Sequence, residues 1–113
     1  MKLITAVLQP SALEPVKNAL AEVGVAGMTI LDAKGHGTQT GKVEVYRAQR
    51  IKVDFLPKIY IETVVNDEVL EAALQAIQEG ARTGAIGDGK IWVTDVLQVI
   101  RVRTGETGPT AIR

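Results

Sequence analysis

Apolar positions along the chain change between strand-like and helix-like spacing, and these changes predict the order of its elements. An apolar, β-rich run at residues 3–8 is followed by Pro10, so it predicts a first strand. The apolar residues that come next recur at spacings of three and four, and they are Leu13, Val16, Leu20 and Val23. This spacing predicts a helix with one buried stripe. Ser11 and Glu14 fit a capping box at its start, and Gly24 is placed to end it.

The same alternation returns in the second half of the chain. Residues 25–34 predict a second strand, and the β-branched run 59–65 predicts a strand at the centre of a sheet. The buried stripe of the following helix consists of Leu70, Leu74, Ile77 and Ala81. Asn66 precedes this helix and fits its N-terminal cap. Residues 91–93 and 96–103 predict two further strands.

The order of these elements predicts an α+β fold, a split βαβ sandwich whose four-stranded antiparallel sheet carries both helices on one face. A chain of 113 residues is long enough for a single domain, residues 1–113, with a buried core. The other sheet face keeps apolar residues that no helix covers, so we expect a subunit interface there. Residues 105–113 are rich in glycine and threonine, and we expect this tail to lie loosely on the surface.

Composition excludes several classes of function. Thirteen basic and thirteen acidic residues cancel, whereas general nucleic-acid binders carry a basic excess, so we expect no direct binding of nucleic acid. The chain has no cysteine, so it can form neither disulfides nor a thiolate metal site. The apolar runs are too short to span a bilayer, and Met1-Lys2 leads directly into a strand pattern. We therefore expect a cytoplasmic protein without membrane insertion.

A long polar excursion separates the two halves of the chain. Residues 35–42 are polar and rich in glycine, whereas residues 43–52 alternate as a strand does. The cations within this second stretch are Arg47, Arg50 and Lys52. We interpret residues 37–54 as a long mobile loop, which is uncommon in a compact domain and is usually functional where it occurs.

A glycine-rich segment at residues 83–93 is the best candidate for binding chemistry. Gly84, Gly87 and Gly89 leave the backbone free to turn and to expose N–H donors, and Lys90 adds an ammonium group. Such a loop can cradle an anion such as phosphate. The spacing differs from that of a P-loop, however, and a helix end followed by a tight turn explains the glycines equally well. Both interpretations stay open at this point.

Three further residues bear on this choice. Arg101 and Arg103 are two apart on the predicted last strand, so both would project from one face of the sheet. Solvated surface arginines are the commoner explanation of such a pair, but beside an anion cradle the pair also suits a polyphosphate. His36 lies between two glycines and is predicted to be a loop residue. Because no nucleophile and base can be assembled from the sequence, it favours binding over catalysis.

Six blocks of sequence, taken in order and without a gap, match one family. The most specific block is residues 83–93, Thr-Gly-Ala-Ile-Gly-Asp-Gly-Lys-Ile-Trp-Val. The other matching blocks are residues 24–29, 35–37, 45–47, 53–58 and 101–106. In these blocks the chain resembles the nitrogen-regulatory P-II signal transduction proteins over essentially its whole length. Those proteins are trimers of ferredoxin-like subunits that bind ATP or ADP between subunits. The resemblance therefore implies a ferredoxin-like homotrimer that senses these nucleotides.

The resemblance also implies a role for each matching position. The residues that would surround the phosphates are Gly35, Gly37, Thr38, Gly87, Asp88, Gly89 and Lys90, with Arg101 and Arg103 from a neighbouring subunit. The residues that would border the adenine and ribose are Thr29, Glu62 and Val64. Gln39 would complete the coordination of a Mg²⁺ ion held by ATP. Lys58 would pair with a carboxylate of 2-oxoglutarate.

The excursion at residues 37–54 matches the family's T-loop, which contacts target proteins and changes shape with the bound ligands. Tyr46 and Arg47 are the expected target contacts, since Arg47 matches the arginine that enters the pore of an ammonium channel. Ile51 stands where many bacterial members carry a tyrosine that is uridylylated or adenylylated, and Gln49 stands where some carry a phosphorylated serine. Neither modification is available to this chain at those positions.

The main interpretation is therefore a non-enzymatic regulator, with alternatives from other classes. A divergent P-II-like sensor could respond to another metabolite and act on a different transporter. A nucleotide-hydrolysing enzyme is the second alternative, and the lack of a base near the proposed phosphates argues against it. The third is a purely structural ferredoxin-like trimer, which would bind no nucleotide.

Thr38 and Thr40 stand where the family usually has arginine and lysine, so the base of the loop lacks two cations. This loss should weaken a triphosphate more than a diphosphate, because the terminal phosphate carries the extra charge. We predict that ADP competes unusually well with ATP and that Thr38→Arg raises the ratio of ATP affinity to ADP affinity. Calorimetric titration of both nucleotides would measure this ratio, and an unchanged ratio in the variant would count against the prediction.

Overall fold

The computed structural model describes residues 1–37 and 55–112, together with the backbone of two short strands at 43–46 and 49–52. The strands are β1 (Lys2–Leu8), β2 (Thr29–Gly35), β3 (Val43–Tyr46), β4 (Gln49–Lys52), β5 (Leu56–Val65) and β6 (Gly89–Asp95). The helices are α1 (Leu13–Glu22) and α2 (Leu70–Ala81). Four of the strands form an antiparallel sheet in the order β2-β5-β1-β6. The predicted α+β, ferredoxin-like sandwich is confirmed.

Strand β1 lies between two partners, and its register fixes the positions of both. Val7 is opposite Tyr60 of β5 on one side and opposite Lys90 of β6 on the other. Every residue of β1 is paired in this way along both of its edges. Because successive side chains of a strand point to opposite sheet faces, this double register also decides which residues of β5 and β6 face the helices.

The core lies between one sheet face and the two helices. The sheet contributes alternate residues to it, namely Ile4, Ala6, Leu8, Ile59, Ile61 and Val65. The helices contribute Val16, Leu20, Ala73, Ala76, Ile77 and Ala81. The predicted stripe of α2 is confirmed for Ile77 and Ala81, while Leu70 and Leu74 are partly buried at its edge. Neither helix in the described part of the chain is long and apolar enough to cross a membrane.

The two helices come into close contact at Gly80, in the last turn of α2. A Cβ atom placed on Gly80 would lie 3.1 Å from both the Cα and the N of Val16 in α1. This distance is shorter than ordinary van der Waals contact, so the two main chains touch without a side chain between them. The absence of a side chain at residue 80 therefore sets the spacing of the helix pair.

The helix starts differ from the predicted caps. A short 3₁₀ turn at Pro10–Ala12 leads into α1, and no side chain caps the helix, so the predicted capping box of Ser11 and Glu14 is wrong. Main-chain bonding replaces it, since the amide of Ala12 donates to the carbonyl of Gln9 at 2.9 Å. Asn66 likewise makes no cap; its side-chain amide donates to the carbonyl of Pro109 at 3.4 Å.

Strand β2 begins later than the predicted strand 25–34. The amide of Val25 donates to the carbonyl of Leu20 at 2.9 Å, which keeps residue 25 at the helix end. The hydroxyl of Thr63 donates to the carbonyl of Gly27 at 2.6 Å, so Gly27 belongs to the connection that precedes the strand. These bonds hold residues 24–28 in a short link between α1 and the sheet.

The predicted last strand, residues 96–103, is wrong. Only an isolated bridge joins Ile100 to Thr107, and the chain turns between them. The amide of Gly105 donates to the carbonyl of Arg101 at 2.8 Å, and Gly105 has a φ of 74°, a conformation that glycine adopts without strain. This tight turn folds the segment back on itself, so it cannot run on as an edge strand.

The tail that we expected to lie loosely at residues 105–113 is partly packed. Residues Gly108–Ile112 form a short 3₁₀ helix, and Ala111 is only 9% exposed. The bond from Asn66 to Pro109 ties this helix to the start of α2. Glycine and threonine content alone does not reveal this packing, since one buried alanine anchors the segment.

Part of the excursion at residues 37–54 forms a separate two-stranded ladder. Strands β3 and β4 pair antiparallel, with Val43 opposite Lys52 and Tyr46 opposite Gln49. The strand-like alternation of residues 43–52 is thus confirmed for these two strands.

The sheet face away from the helices carries a polar centre with apolar surroundings. Thr5 is only 2% exposed, and it is flanked in register by Glu62 and Trp92. The hydroxyl of Tyr60 donates to Glu62 Oε1 at 2.5 Å, and this bond raises the pKa of Tyr60 above its ordinary value. Leu31 and Trp92 on the same face are 55% and 44% exposed, so this face presents apolar surface that the chain itself does not cover.

Gly89 is the first residue of β6 and lies against the backbone of β1. Substitution of this glycine tests the register of these two strands. A Cβ atom there would lie 1.9 Å from the carbonyl oxygen of Val7, and φ is +103°. We predict that Gly89→Ala lowers the free energy of unfolding by more than about 2 kcal/mol, because a clash and backbone strain act together. Chemical denaturation would measure this loss.

Gly27→Ala is the matched control. No atom lies within 4 Å of its added Cβ, so its unfolding free energy should stay within about 0.5 kcal/mol of the parent chain. Equal effects of the two substitutions would contradict the proposed close approach at Gly89.

Candidate functional site

A cleft of about 440 Å³ opens where the end of β2, the start of β5 and the loop before β6 meet. The residues that line it are Val7, Gly35, His36, Gly37, Leu56, Lys58, Ala85, Gly87, Asp88, Gly89, Lys90 and Trp92. Six residues of the predicted phosphate site and the predicted effector residue Lys58 are among them. The sheet register brings these residues together, since Gly35 is opposite Leu56 and Val7 is opposite Lys90.

The loop between α2 and β6 forms one wall of the cleft. Gly84, Gly87 and Gly89 have φ angles of 87°, 103° and 103°, which residues with a Cβ rarely adopt. The loop also approaches β1 so closely that only glycine fits at position 89. A chain of this shape presents bare main chain to the cleft, with Lys90 at its end. Main-chain N–H groups and an ammonium group together can hold an anion.

The carboxylate of Asp88 closes this loop into a ring. Its Oδ2 accepts hydrogen bonds from the amides of Thr83 and Gly84 at 2.8 and 2.9 Å, and its Oδ1 accepts from the hydroxyl of Thr83. The same hydroxyl accepts from the amide of Ala85 at 3.2 Å. The Thr83 hydroxyl, then the two amides and the charge of Arg82, hold the pKa of Asp88 below its usual value.

Lys58 reaches the same loop from the opposite wall of the cleft. Its Nζ donates to the carbonyl oxygen of Gly87 at 3.0 Å. The loop is therefore held at two points, by Asp88 from within and by Lys58 from β5. An anionic ligand that drew Lys58 towards itself would have to replace this bond.

The two predicted phosphate-binding arginines do not reach the cleft of their own chain. Arg101 donates from Nη1 to Glu106 at 3.2 Å and from Nη2 to the carbonyl of Thr110 at 3.4 Å. Arg103 lies in the turn that follows and is exposed. The prediction that both project from one strand face is wrong, because this segment is a turn. Their expected contribution to a neighbouring subunit's site stays a prediction.

Thr29, Glu62 and Val64 lie on the sheet face away from the helices, and none of them lines the cleft. Thr29 is directly opposite Glu62 in the register of β2 and β5. The structure therefore separates the predicted phosphate residues from the predicted adenine and ribose residues within one chain. Glu62 already accepts the hydroxyl of Tyr60.

Several predictions concern residues that lie outside the part of the chain described. Thr38, Gln39 and Arg47 lie outside the described residues, and Tyr46 is described only as backbone. Their roles towards phosphate, Mg²⁺ and a target protein stay predictions. Within the described residues, no group of three histidine, aspartate or glutamate side chains could hold a metal ion.

Four residues that line the cleft were not predicted from the sequence, namely Val7, Leu56, Ala85 and Trp92. His36, predicted to be an ordinary loop residue, also lines the cleft, and its ring meets that of Phe55 edge-on at 5.7 Å between centroids. Val7 and Trp92 reach the cleft through the pairing of β1 with β6, and no local sequence pattern predicts this pairing. Leu56 and Ala85 are apolar neighbours of predicted residues and carry no chemical signature of their own.

Comparison with known proteins agrees with the sequence blocks and the fold. A family model described as nitrogen regulatory protein P-II matches residues 1–106. The chain is 54% identical to the nitrogen regulatory protein P-II of Azospirillum brasilense, over 99% of this chain and 100% of that protein. It is 51% identical to the nitrogen regulatory protein P-II 1 of Escherichia coli strain K12, over the same shares of the two chains.

The bonds at Asp88 predict a pH effect with a definite sign. Because its pKa is lowered in the folded chain, Asp88 stabilises the fold above the ordinary aspartate pKa of about 3.9, and this contribution is lost as the pH falls through the lowered value. We predict that NMR titration of the Asp88 carboxyl carbon has its midpoint below about 3.9.

Thr83→Ala should raise that midpoint, since it removes the hydroxyl, whereas Thr83→Ser retains the hydroxyl and should leave the midpoint low. A midpoint that is the same in Thr83→Ala and the parent chain would show that the hydroxyl does not act on Asp88.

Proposed function

The chain belongs to the nitrogen regulatory protein P-II family, and on this basis we propose that it senses nucleotides by binding ATP or ADP in its cleft. Membership of the family makes it a signal-transduction regulator and not an enzyme. The observation that carries the proposal is the meeting of the glycine-rich loop, Lys90 and Lys58 around one cleft. A nucleotide offers the polyanion that this cleft suits.

The charge of the cleft favours a polyphosphate. Two lysines, Lys58 and Lys90, line it, and Asp88 is its one lining carboxylate among the described residues. That carboxylate already accepts three hydrogen bonds from Thr83 and Gly84. Charge-assisted hydrogen bonds from lysine and main-chain amides to phosphate are about twice as strong as neutral ones. The loop therefore fits the phosphates, and Val7, Leu56 and Trp92 provide apolar surface beside it.

A complete site would need more than one subunit. In one chain Arg101 pairs with Glu106, and Thr29, Glu62 and Val64 lie outside the cleft. We propose a homotrimer in which Arg101 and Arg103 reach the phosphates bound by a neighbour, while the residues of the open sheet face border the adenine and ribose. Leu97 and Val102 are both 96% exposed in the single chain, which supports burial of this region between subunits.

Two further ligands belong to the proposal. Gln39 would complete the coordination of a Mg²⁺ ion held by ATP. This ion would neutralise part of the phosphate charge, which the uncharged Thr38 cannot do. Lys58 would pair with a carboxylate of 2-oxoglutarate and would then exchange its bond to Gly87 for an ion pair. Titration of nucleotide in the presence of 2-oxoglutarate would show whether this metabolite is the second effector.

The output of the regulator would lie in residues 37–54. We propose that this segment, with Tyr46 and Arg47, engages a cytoplasmic face of an ammonium channel or another membrane transporter, or a nitrogen-metabolism enzyme. Ligands at the base of the segment would select one of its conformations over others. Because residue 51 is isoleucine, nucleotidylation of a tyrosine at this position cannot supply a second layer of control.

Calorimetric titration tests nucleotide binding directly. We predict that Lys90→Ala weakens the binding of both ATP and ADP by about 10-fold or more, as expected for the loss of a charge-assisted hydrogen bond worth about 1.5–3 kcal/mol. Lys17→Ala is the control, since Lys17 is an exposed lysine of α1 that pairs with Glu14 away from the cleft. It should bind as the parent chain does.

The same titrations, repeated with Mg²⁺ and 2-oxoglutarate, separate the remaining alternatives. Tighter ATP binding in the presence of both would support an ordinary nitrogen and energy sensor. Nucleotide binding that ignores 2-oxoglutarate would point to a divergent sensor, and no nucleotide binding by the parent chain would overturn the proposal.

A further inference from the structure

Asp88 lines the proposed nucleotide cleft, yet its side chain is bonded to its own loop. All three of its described hydrogen bonds are accepted from Thr83 and Gly84, at the opposite end of the loop. We propose that Asp88 is a positioning residue, which does not bind the nucleotide with its carboxylate but holds residues 83–89 in the conformation that receives phosphate. This inference rests on the proposed nucleotide-binding function.

The hydrogen-bonding capacity of the carboxylate supports this role. An ionised carboxylate offers about four lone-pair sites and no donor. Three donors of the loop occupy Oδ1 and Oδ2, so little capacity is left for a ligand. A carboxylate also repels phosphate, and the donors of Thr83 and Gly84 partly offset its negative charge within the loop. The geometry thus suits an internal brace better than a ligand contact.

The loop needs a brace because its own backbone preferences are weak. Gly84, Gly87 and Gly89 are free to adopt many conformations, and each has a positive φ in the folded chain. Helix α2 ends at Ala81, and the extended backbone of Arg82 (φ −72°, ψ 125°) takes the chain out of the helix, so helical hydrogen bonds do not continue into the loop. Asp88 joins the two ends of this segment.

The brace acts on the wall of the cleft through a short chain of bonds. The amide of Ala85 donates to the Thr83 hydroxyl, which in turn donates to Asp88 Oδ1. Ala85, Gly87 and Gly89 all line the cleft, and they lie between or beside the residues that the brace joins. Loss of either Thr83 or Asp88 should therefore disturb the same wall.

A double-mutant cycle distinguishes a positioning residue from a ligand contact. The variants are Thr83→Ala, Asp88→Asn and the double variant, each titrated with ADP in the absence of Mg²⁺ and with Mg²⁺ and ATP. If each substitution reduces the population of the binding-competent loop to about one tenth, each single variant loses about 10-fold in affinity. We expect the double variant to lose no more than the weaker-binding single variant, because both residues belong to one brace.

Thr83→Ser keeps the hydroxyl and should restore affinity to the level of the parent chain. The nucleotide-free Thr83→Ala and Asp88→Asn variants should melt at a lower temperature than the parent chain, because the bonds of Asp88 also stabilise the fold. The titrations are therefore made well below these melting temperatures, where every variant is folded, so that a loss of affinity is not a loss of folded protein. Losses that multiply in the double variant would overturn the proposal, as would normal affinity in Asp88→Asn. So would a loss confined to Mg²⁺ and ATP, because it would make Asp88 a partner of the metal.

NMR spectra of the nucleotide-free protein separate this inference from the proposed function. Asp88→Asn and Thr83→Ala should shift the same amide resonances, those of Gly84, Ala85, Gly87 and Gly89. Without these shared shifts the brace is disproved, whatever the nucleotide titrations show. If the two variants share these shifts but the parent chain binds no nucleotide, the proposed function is disproved and, with it, the role of the brace in binding.

Discussion

The pairing of β1 along both of its edges is the constraint on which the rest of the structure depends. It places Ile4, Ala6 and Leu8 against the helices and sets Val7 opposite Lys90. Since a shift of one residue would turn every side chain of a strand to the other face, burial of these three residues fixes the register. The position of the glycine-rich loop follows, because β6 can begin only where residue 89 passes the carbonyl of Val7.

The fold could be predicted from the sequence where one buried stripe decides the structure. The stripes of the two helices and the β-branched run of β5 depend on local periodicity, and the structure confirms them. Residues 96–103 have an equally apolar pattern but form no strand, because Gly105 turns the chain and Glu106 pairs with Arg101. Bonds between residues that are close in sequence outweighed strand propensity there, and no pattern of apolar residues reports such bonds.

The glycine-rich loop of the candidate site could be predicted from the sequence, whereas the apolar residues of the sheet that line the cleft could not. The glycines and Lys90 identify the loop because their chemistry is visible in the sequence. Val7 and Trp92 became part of the cleft only through sheet pairing, and Thr29 and Glu62 meet each other through the pairing of β2 with β5. The two interpretations of the glycines do not exclude each other, since the residues that let the chain turn also present main chain to the cleft.

The close contact of Gly80 with Val16 has a mechanical consequence. At this contact two main chains touch directly, so no side chain lies between the helices there that could be compressed or rotated aside. The segment after Ala81 is different, since hydrogen bonds of single side chains shape it. The change from the closely packed helix pair to the loop at residues 83–89 therefore occurs at Arg82 and Thr83. A ligand that shifted this loop would have to break only those few side-chain hydrogen bonds, while the packed helices would keep their positions.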